Sequence, residues 1–261
     1  MQYQGGKSRI AKQISKVIKN EISRRQIENF QTDSRSDKEQ CVLDRESNLT
    51  LVSLFCGSCS VESKLTFFTK KILNDKHEYL IELLNGVKNG YELPDEQYKY
   101  IREHKDKDKI LTGFVGFGCS FGGKWFGGYA RNKTGTNYAA QSKKSLLKDM
   151  DTLRDAEFIC MDYRDVPLPD DCVIYADPPY NNTTGYGKEK FNSEKFWTYA
   201  RKVSQNHIMF ISEQTAPEDF ISIWEKPFTR TLDVNKNNQF KVIEKLFVHK
   251  NNLKYIEDVV A

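Results

Sequence analysis

What this chain lacks narrows it first. No apolar run approaches the length of a membrane span, and Met1-Gln2-Tyr3-Gln4 does not open like a signal peptide. A cytoplasmic protein with no membrane partner is therefore expected. The six cysteines, at 41, 56, 59, 119, 160 and 172, lack the second close pair that a zinc ribbon would need beside Cys56 and Cys59. Reduced, packing cysteines and no metal are the reading. Around Gly5 and Gly6 the chain lacks the upstream glycine of a P-loop, which excludes that phosphate cradle. The most telling absence is local. From Gly113 to Lys148 there is no Asp or Glu, although 36 acids in 261 residues would place about five there. Lys124, Arg131, Lys133, Lys143, Lys144 and Lys148 make that window strongly basic in a chain whose net charge is only +4. Such a window suits a polyanionic partner.

What is present begins with Val173-Ile174-Tyr175-Ala176-Asp177-Pro178-Pro179-Tyr180. Its apolar, β-branched opening predicts a buried strand, and two consecutive prolines end it. Asp177 is then left at the strand's carboxyl end, where open α/β sheets bind ligands, with an aromatic ring three residues on. Other strands are predicted at Leu49–Phe55, Lys71–Asn74, Phe158–Asp162 and His207–Glu213, alternating with helical patterns. These include an N-terminal helix carrying Ile10, Ile14, Val17 and Ile18 on one face, a helix from Val61, and another over Ser193–Ser204. Ala216–Phe220 is read as the start of a further helix. Phe228–Asp233 and Lys241–His249 are read as a closing β-hairpin. The length fits one large α/β domain with an inserted subdomain.

Three turns carry further candidate chemistry. Gly5-Gly6-Lys7 precedes the first helix, where backbone N–H groups can approach an anion. Phe55-Cys56-Gly57-Ser58-Cys59 follows a strand, as in the first βα turn of nucleotide-binding folds. Asp75 ends the next strand 18 residues after Gly57, a spacing at which an acid accepts ribose hydroxyls. Asp162 and Tyr163 end another strand in the same manner. Between these turns, Phe114–Tyr129 mixes six glycines with four phenylalanines, Trp125 and Tyr129. Glycine so dense argues against helix interior. The segment either packs as a glycine-aromatic turn cluster or carries a nucleic-acid contact surface. Residues 23–48 read as a polar surface insertion, and Lys105–Lys109 as a solvated charged face.

The tetrapeptide Asp177-Pro178-Pro179-Tyr180 resembles the catalytic motif of S-adenosylmethionine-dependent amino-methyltransferases. The order Gly-Gly-Lys, glycine loop, basic insert, Asp-Pro-Pro-Tyr resembles that of the Dam-type, alpha-group DNA adenine-N6 methyltransferases. That resemblance implies a Rossmann-like class I methyltransferase fold, a mixed and mostly parallel sheet with a terminal β-hairpin and an inserted DNA-recognition subdomain. It divides the chain into a cofactor-binding part at 1–80, a target-recognition region at 81–150 and a catalytic part at 151–261. It further implies S-adenosyl-L-methionine held by Tyr3, Gly6, Lys7, Phe55, Gly57, Asp75, Asp162, Tyr163 and Asp177, with Asp177, Pro178, Pro179 and Tyr180 catalytic. Lys124, Arg131 and Lys133 would contact the phosphates of double-stranded DNA, and the target adenine would be flipped out of the helix. Cys59 stands where the family has a second glycine, so a loop needing positive φ there would be strained. An inactive DNA-binding homologue, and a methyltransferase acting on cytosine N4, RNA or a protein amide, are the alternatives. A restriction endonuclease partner is not legible.

Overall fold

The computed structural model describes residues 1–31, 49–94, 97–132, 135–180, 191–231 and 239–253. They gather into two compact units, Met1–Pro167 and Leu168–Ala261. The architecture is the expected mixed α/β, Rossmann-like class. Among the described residues no helix is long and apolar enough to cross a membrane.

The first unit opens with α1, Ala11–Gln31. Ile10, Ile14, Ile18 and Ile22 recur every fourth residue and are all buried, which fastens one helical stripe to the core. Val17 is half-buried. The predicted surface stretch begins too early at residue 23, because the helix continues on polar residues. Glu21 holds Arg24 at 2.8 Å and Arg25 at 2.9 Å, pairs at the helical spacings that support a half-buried polar turn. Residues 32–48 lie outside the described residues.

Strands β1 (Thr50–Ser53), β2 (Lys70–Asn74) and β3 (Glu157–Ile159) form parallel pairs in the order β3-β2-β1. The helix predicted from Val61 is a single 3₁₀ turn, Glu62–Lys64. Its Glu62 carboxylate points inward and accepts the Ser53 hydroxyl at 2.7 Å, tethering the turn to β1. Helix α2 (Glu78–Lys88) buries Leu80, Ile81, Leu83, Leu84 and Val87. Beyond α3 (Tyr98–Glu103), the charged run is not simply solvated. Asp106 accepts the Tyr79 hydroxyl, Asp108 accepts that of Tyr91, and Asp108 caps α4 (Lys109–Gly113) by accepting the Leu111 N–H at 2.9 Å.

The glycine-aromatic stretch corrects a further expectation. Phe114–Gly118 continues α4 as a buried π-helical turn. The glycines serve close approach there: a Cβ on Gly113 would lie 2.1 Å from the Tyr79 carbonyl oxygen, and one on Gly116 2.2 Å from the Trp125 ring. Helix α5, Tyr138–Met150, follows, its first turn capped by Asn137.

In the second unit β4 (Cys172–Ala176) is buried at all five residues and runs parallel to β5 (Ile208–Glu213). Helix α6 (Ser193–Val203) is capped by Asn192 and buries Phe196, Trp197, Ala200 and Val203. Strands β6 (Phe220–Thr231) and β7 (Gln239–His249) form the terminal antiparallel hairpin, with β7 also antiparallel to β5 in the order β4-β5-β7-β6. The hairpin starts earlier than expected and replaces the helix read from Ala216. Pro217 to Phe220 is a turn closed by the Phe220 N–H at 2.9 Å. Asp219 fixes it by accepting Arg201 Nε at 2.5 Å and Nη2 at 2.8 Å, while His249 Nε2 lies 3.4 Å away. The β-branched Ile221 and Ile223 then suit a strand better than a helix.

The Arg201 fork holds the Asp219 carboxyl near pH 2, below its ordinary 3.8. A depressed carboxyl contributes stability above its unfolded value that is lost as pH falls through the folded one. Arg201→Met should therefore lower the urea midpoint at pH 7, and the deficit should shrink between about pH 4 and pH 2. A deficit unchanged at pH 2 would assign the pair's role to packing instead.

Candidate active site

Parallel strands β1 and β2 and the chain after β3 bring their carboxyl ends together in the first unit. The turn after β1 carries Gly57 at φ +49°, where a Cβ would lie 2.9 Å from the ring of Tyr3. A larger residue would therefore displace Tyr3, whose ring packs 5.0 Å from that of Phe117. Gly6 closes the N-terminal turn by donating its N–H to the Tyr3 carbonyl at 2.9 Å. Lys7 is buried, and its carbonyl accepts the N–H groups of Ile10 and Ala11 at the start of α1.

Asp75 ends β2 and receives two backbone donors. Gly57 N–H reaches Oδ2 at 3.1 Å and His77 N–H reaches Oδ1 at 2.9 Å. Burial pushes its carboxyl up from 3.8, and the hydrogen bonds from His77 and Gly57 N–H oppose that rise. Each oxygen keeps a lone pair, so accepting a hydroxyl as well remains chemically open. Phe55 and Tyr163 pack with ring centroids 5.2 Å apart and planes tilted by 37°. Asp162 is engaged by Arg164, whose Nε lies 2.7 Å from Oδ1 and whose Nη2 lies 3.1 Å from Oδ2, and this pairing holds its carboxyl below the usual range. Tyr3, Gly6, Gly57 and Asp75 thus meet in one cluster, and Phe55 meets Tyr163.

Cys59 adopts φ +57° and is fully buried. The strain anticipated for a side chain at the second glycine position is present, at about 1–2 kcal/mol for a left-handed non-glycine residue. Its thiol and that of Cys56 lie 4.0 and 3.8 Å from the Gly57 carbonyl oxygen, and burial pushes both thiols up.

In the second unit, Asp177 to Tyr180 follow directly on β4. Tyr175, within β4, shares a hydrogen bond of 2.9 Å with Ser212 of β5. The Tyr180 hydroxyl donates to Glu244 Oε2 at 2.5 Å. Burial and then the nearby charges of Asp177, Glu244 and Glu213 hold the Tyr180 phenol far above its ordinary 10, so it stays protonated at any working pH. Glu244 was missed at the level of sequence. Its signal is an acid flanked by apolar residues in Val242-Ile243-Glu244-Lys245-Leu246-Phe247, and it is 1% exposed.

The basic, glycine-rich segment packs inward through most of its rings, while Phe121 is 52% exposed. Trp125 lies 4.8 Å from Phe117, 4.5 Å from His77 and 5.2 Å from Tyr79. His77, also missed in the sequence, is pushed down to about 4 by burial and is neutral at physiological pH. Lys124 and Arg131 are exposed, and Lys143 donates to the Leu93 carbonyl. Lys133 and the loop 181–187 lie outside the described residues. Among the described residues, no group of three or more His, Cys, Asp or Glu could hold a metal ion.

Residues 39–114 match the family model of D12 class N6 adenine-specific DNA methyltransferases. The match supports an adenine methyltransferase, a class for which S-adenosylmethionine is the methyl donor. No curated protein matches the chain. Among solved structures, the chain is similar to a Pyrococcus horikoshii protein assigned as an RNA methyltransferase, at 8% identity over 79% of this chain and 77% of that one, TM-score 0.39. It is similar also to a Haemophilus influenzae protein assigned as a methylase, at 13% identity over 80% and 84%, TM-score 0.34. A Plasmodium falciparum dimethyladenosine transferase is similar at 12% identity over 84% and 65%, TM-score 0.33.

Gly57→Ala should destabilise the protein by about 1–3 kcal/mol in urea unfolding, through the clash with Tyr3 and the positive φ. Adding Tyr3→Ala should relieve the clash and leave the backbone cost. Strict additivity of the two losses would show that the ring and the loop are not in contact.

Proposed function

We propose that this protein transfers a methyl group from S-adenosyl-L-methionine to the exocyclic N6 of an adenine flipped out of double-stranded DNA. The observation that carries the reading is Asp177-Pro178-Pro179-Tyr180 directly after a fully buried strand of a parallel pair. The first unit supports it with residues suited to a nucleoside cofactor. Asp75 offers a carboxylate for ribose hydroxyls, Phe55 and Tyr163 offer apolar faces for adenine, and Tyr3, Gly6, Gly57 and Lys7 would take the methionine end. Asp162 would act beside the adenine. The cofactor supplies an activated methyl on a sulfonium.

An exocyclic adenine nitrogen is a poor nucleophile because its lone pair is delocalised into the ring. Asp177 and the Pro178 carbonyl would each accept one of its two hydrogens and draw the nitrogen toward tetrahedral geometry, and Pro179 would stiffen that turn. Fixed acceptors and positioning are then the main sources of acceleration. Tyr180 would lend its ring to the flipped base, a stack worth about 1–3 kcal/mol that partly offsets unstacking. Region 81–150 would read the target, residues 1–80 would bind the cofactor and residues 151–261 would carry the catalytic motif, with Lys124, Arg131 and Lys133 on phosphates.

Labelled methyl from S-adenosylmethionine, offered with duplex DNA, RNA and protein, tests the reading. DNA should be labelled at adenine, and Asp177→Ala should lose at least about 100-fold in rate. Equal labelling by Asp177→Ala would sink the mechanism, and labelling of RNA alone would move the substrate. Separately, Lys124→Glu with Arg131→Glu should weaken DNA binding and flatten its salt dependence by about one unit of slope per lost phosphate contact, with cofactor binding intact. Loss of cofactor binding instead would remove these residues from the DNA surface.

A further inference from the structure

Glu244 lies well away in sequence from every residue given a role above, on β7 of the terminal hairpin. It is 1% exposed, yet it carries a carboxylate, and a carboxylate is rarely taken out of water without a partner of consequence. One partner is the Tyr180 hydroxyl, at 2.5 Å from Oε2. The strand register gives the contact a rigid base. Lys245 and Leu246 pair with Glu213 and Ser212 of β5, Glu244 itself pairs with Lys226 of β6, and β5 pairs in turn with β4, from which the tetrapeptide emerges. Tyr180 is thus held at both ends: its backbone by two prolines at the end of β4, its hydroxyl by a strand two places along the sheet.

We propose that Glu244 is a positioning residue that fixes the ring of Tyr180 through this hydrogen bond, so that the aromatic face is already oriented when a target base arrives. The proposal rests on the methyl-transfer reading of Tyr180. A tyrosine ring has two side-chain torsions, and pinning its far oxygen removes freedom that would otherwise be lost on stacking. The phenol stays protonated at working pH, so the donor is always available to the carboxylate. The role is that of an acceptor: an amide oxygen can replace the carboxylate oxygen, and an alkyl group cannot.

The test compares Glu244→Gln, Glu244→Leu, Tyr180→Phe and the doubles. Steady-state methylation of duplex DNA and urea unfolding are both measured. Glu244→Leu should lower kcat about tenfold with KM for S-adenosylmethionine within about twofold, while Glu244→Gln should recover kcat to within about threefold of wild type. In the Tyr180→Phe background, Glu244→Leu should lower kcat by less than about twofold, because the bond it breaks is already absent. Losses that multiply, or a Gln variant as slow as the Leu variant, would overturn the proposal. The unfolding measurements read the bond without reference to catalysis. Tyr180→Phe and Glu244→Leu should be non-additive in urea midpoint, and additivity would remove the contact and the proposal with it. Absence of methyl transfer by the wild-type protein, alongside a coupled unfolding cycle, would bring down the methyl-transfer reading and Glu244's role in it and leave the hydrogen bond standing.

Discussion

A half-buried carboxylate at the end of β2 sets the shape of the first unit. Burial alone would push Asp75 toward its neutral form, and an unsatisfied acid there would oppose folding. It is tolerated because the chain brings backbone N–H groups to both oxygens, one from the turn after β1 and one from the residue before α2. The two turns cannot relax independently, since loosening either leaves a buried acceptor short of a donor. Gly57, in a left-handed backbone at φ +49°, points its N–H at Asp75. Tyr3 then occupies the space that its missing side chain leaves. One charge thus fixes two loops and the N-terminal turn.

The second unit solves a similar problem with hydroxyls. Tyr175 is almost wholly buried in the middle of an apolar strand and finds Ser212 on the next. Tyr180 finds Glu244. Both hydroxyl partners are reached sideways across the sheet, so strand register, more than loop conformation, determines where the rings lie. That is the more exact of the two ways to hold a group, because a slip of one residue would reverse every face.

Much of this was legible in the chain before any coordinates. The strands around Leu51, Ile72, Phe158, Ile174 and Phe210 announce themselves as short apolar runs bounded by turns. The misreadings share a cause. At Ile221 and at Phe114–Gly118, local composition was weighed without the partner that decides the outcome. A twelve-residue strand forms at Phe220–Thr231 because β7 pairs with it, and a glycine-rich helix forms because Trp125 and the Tyr79 carbonyl come too close for side chains. Neither contact is local in sequence. The polar half of α1 was underestimated because its support comes from ion pairs at helical spacing, which periodicity of apolar residues does not register. In the candidate site, Asp75 and Gly57 were visible from their spacing, while His77 and Glu244 were not, since their significance lies in what surrounds them.

Tyr3 also touches a third segment, for a Cβ on Gly123 would lie 2.5 Å from its backbone nitrogen, and Gln4 N–H donates to the Gly123 carbonyl at 3.1 Å. Residues 3, 57 and 123 therefore close two long loops at one point. Loop closure costs conformational entropy before any contact repays it, so a junction of distant segments slows folding. The N-terminal turn precedes both of its partners in the chain, and its place is defined only when they are present. The mouth of the glycine loop is completed only once the chain as far as Gly123 has been made.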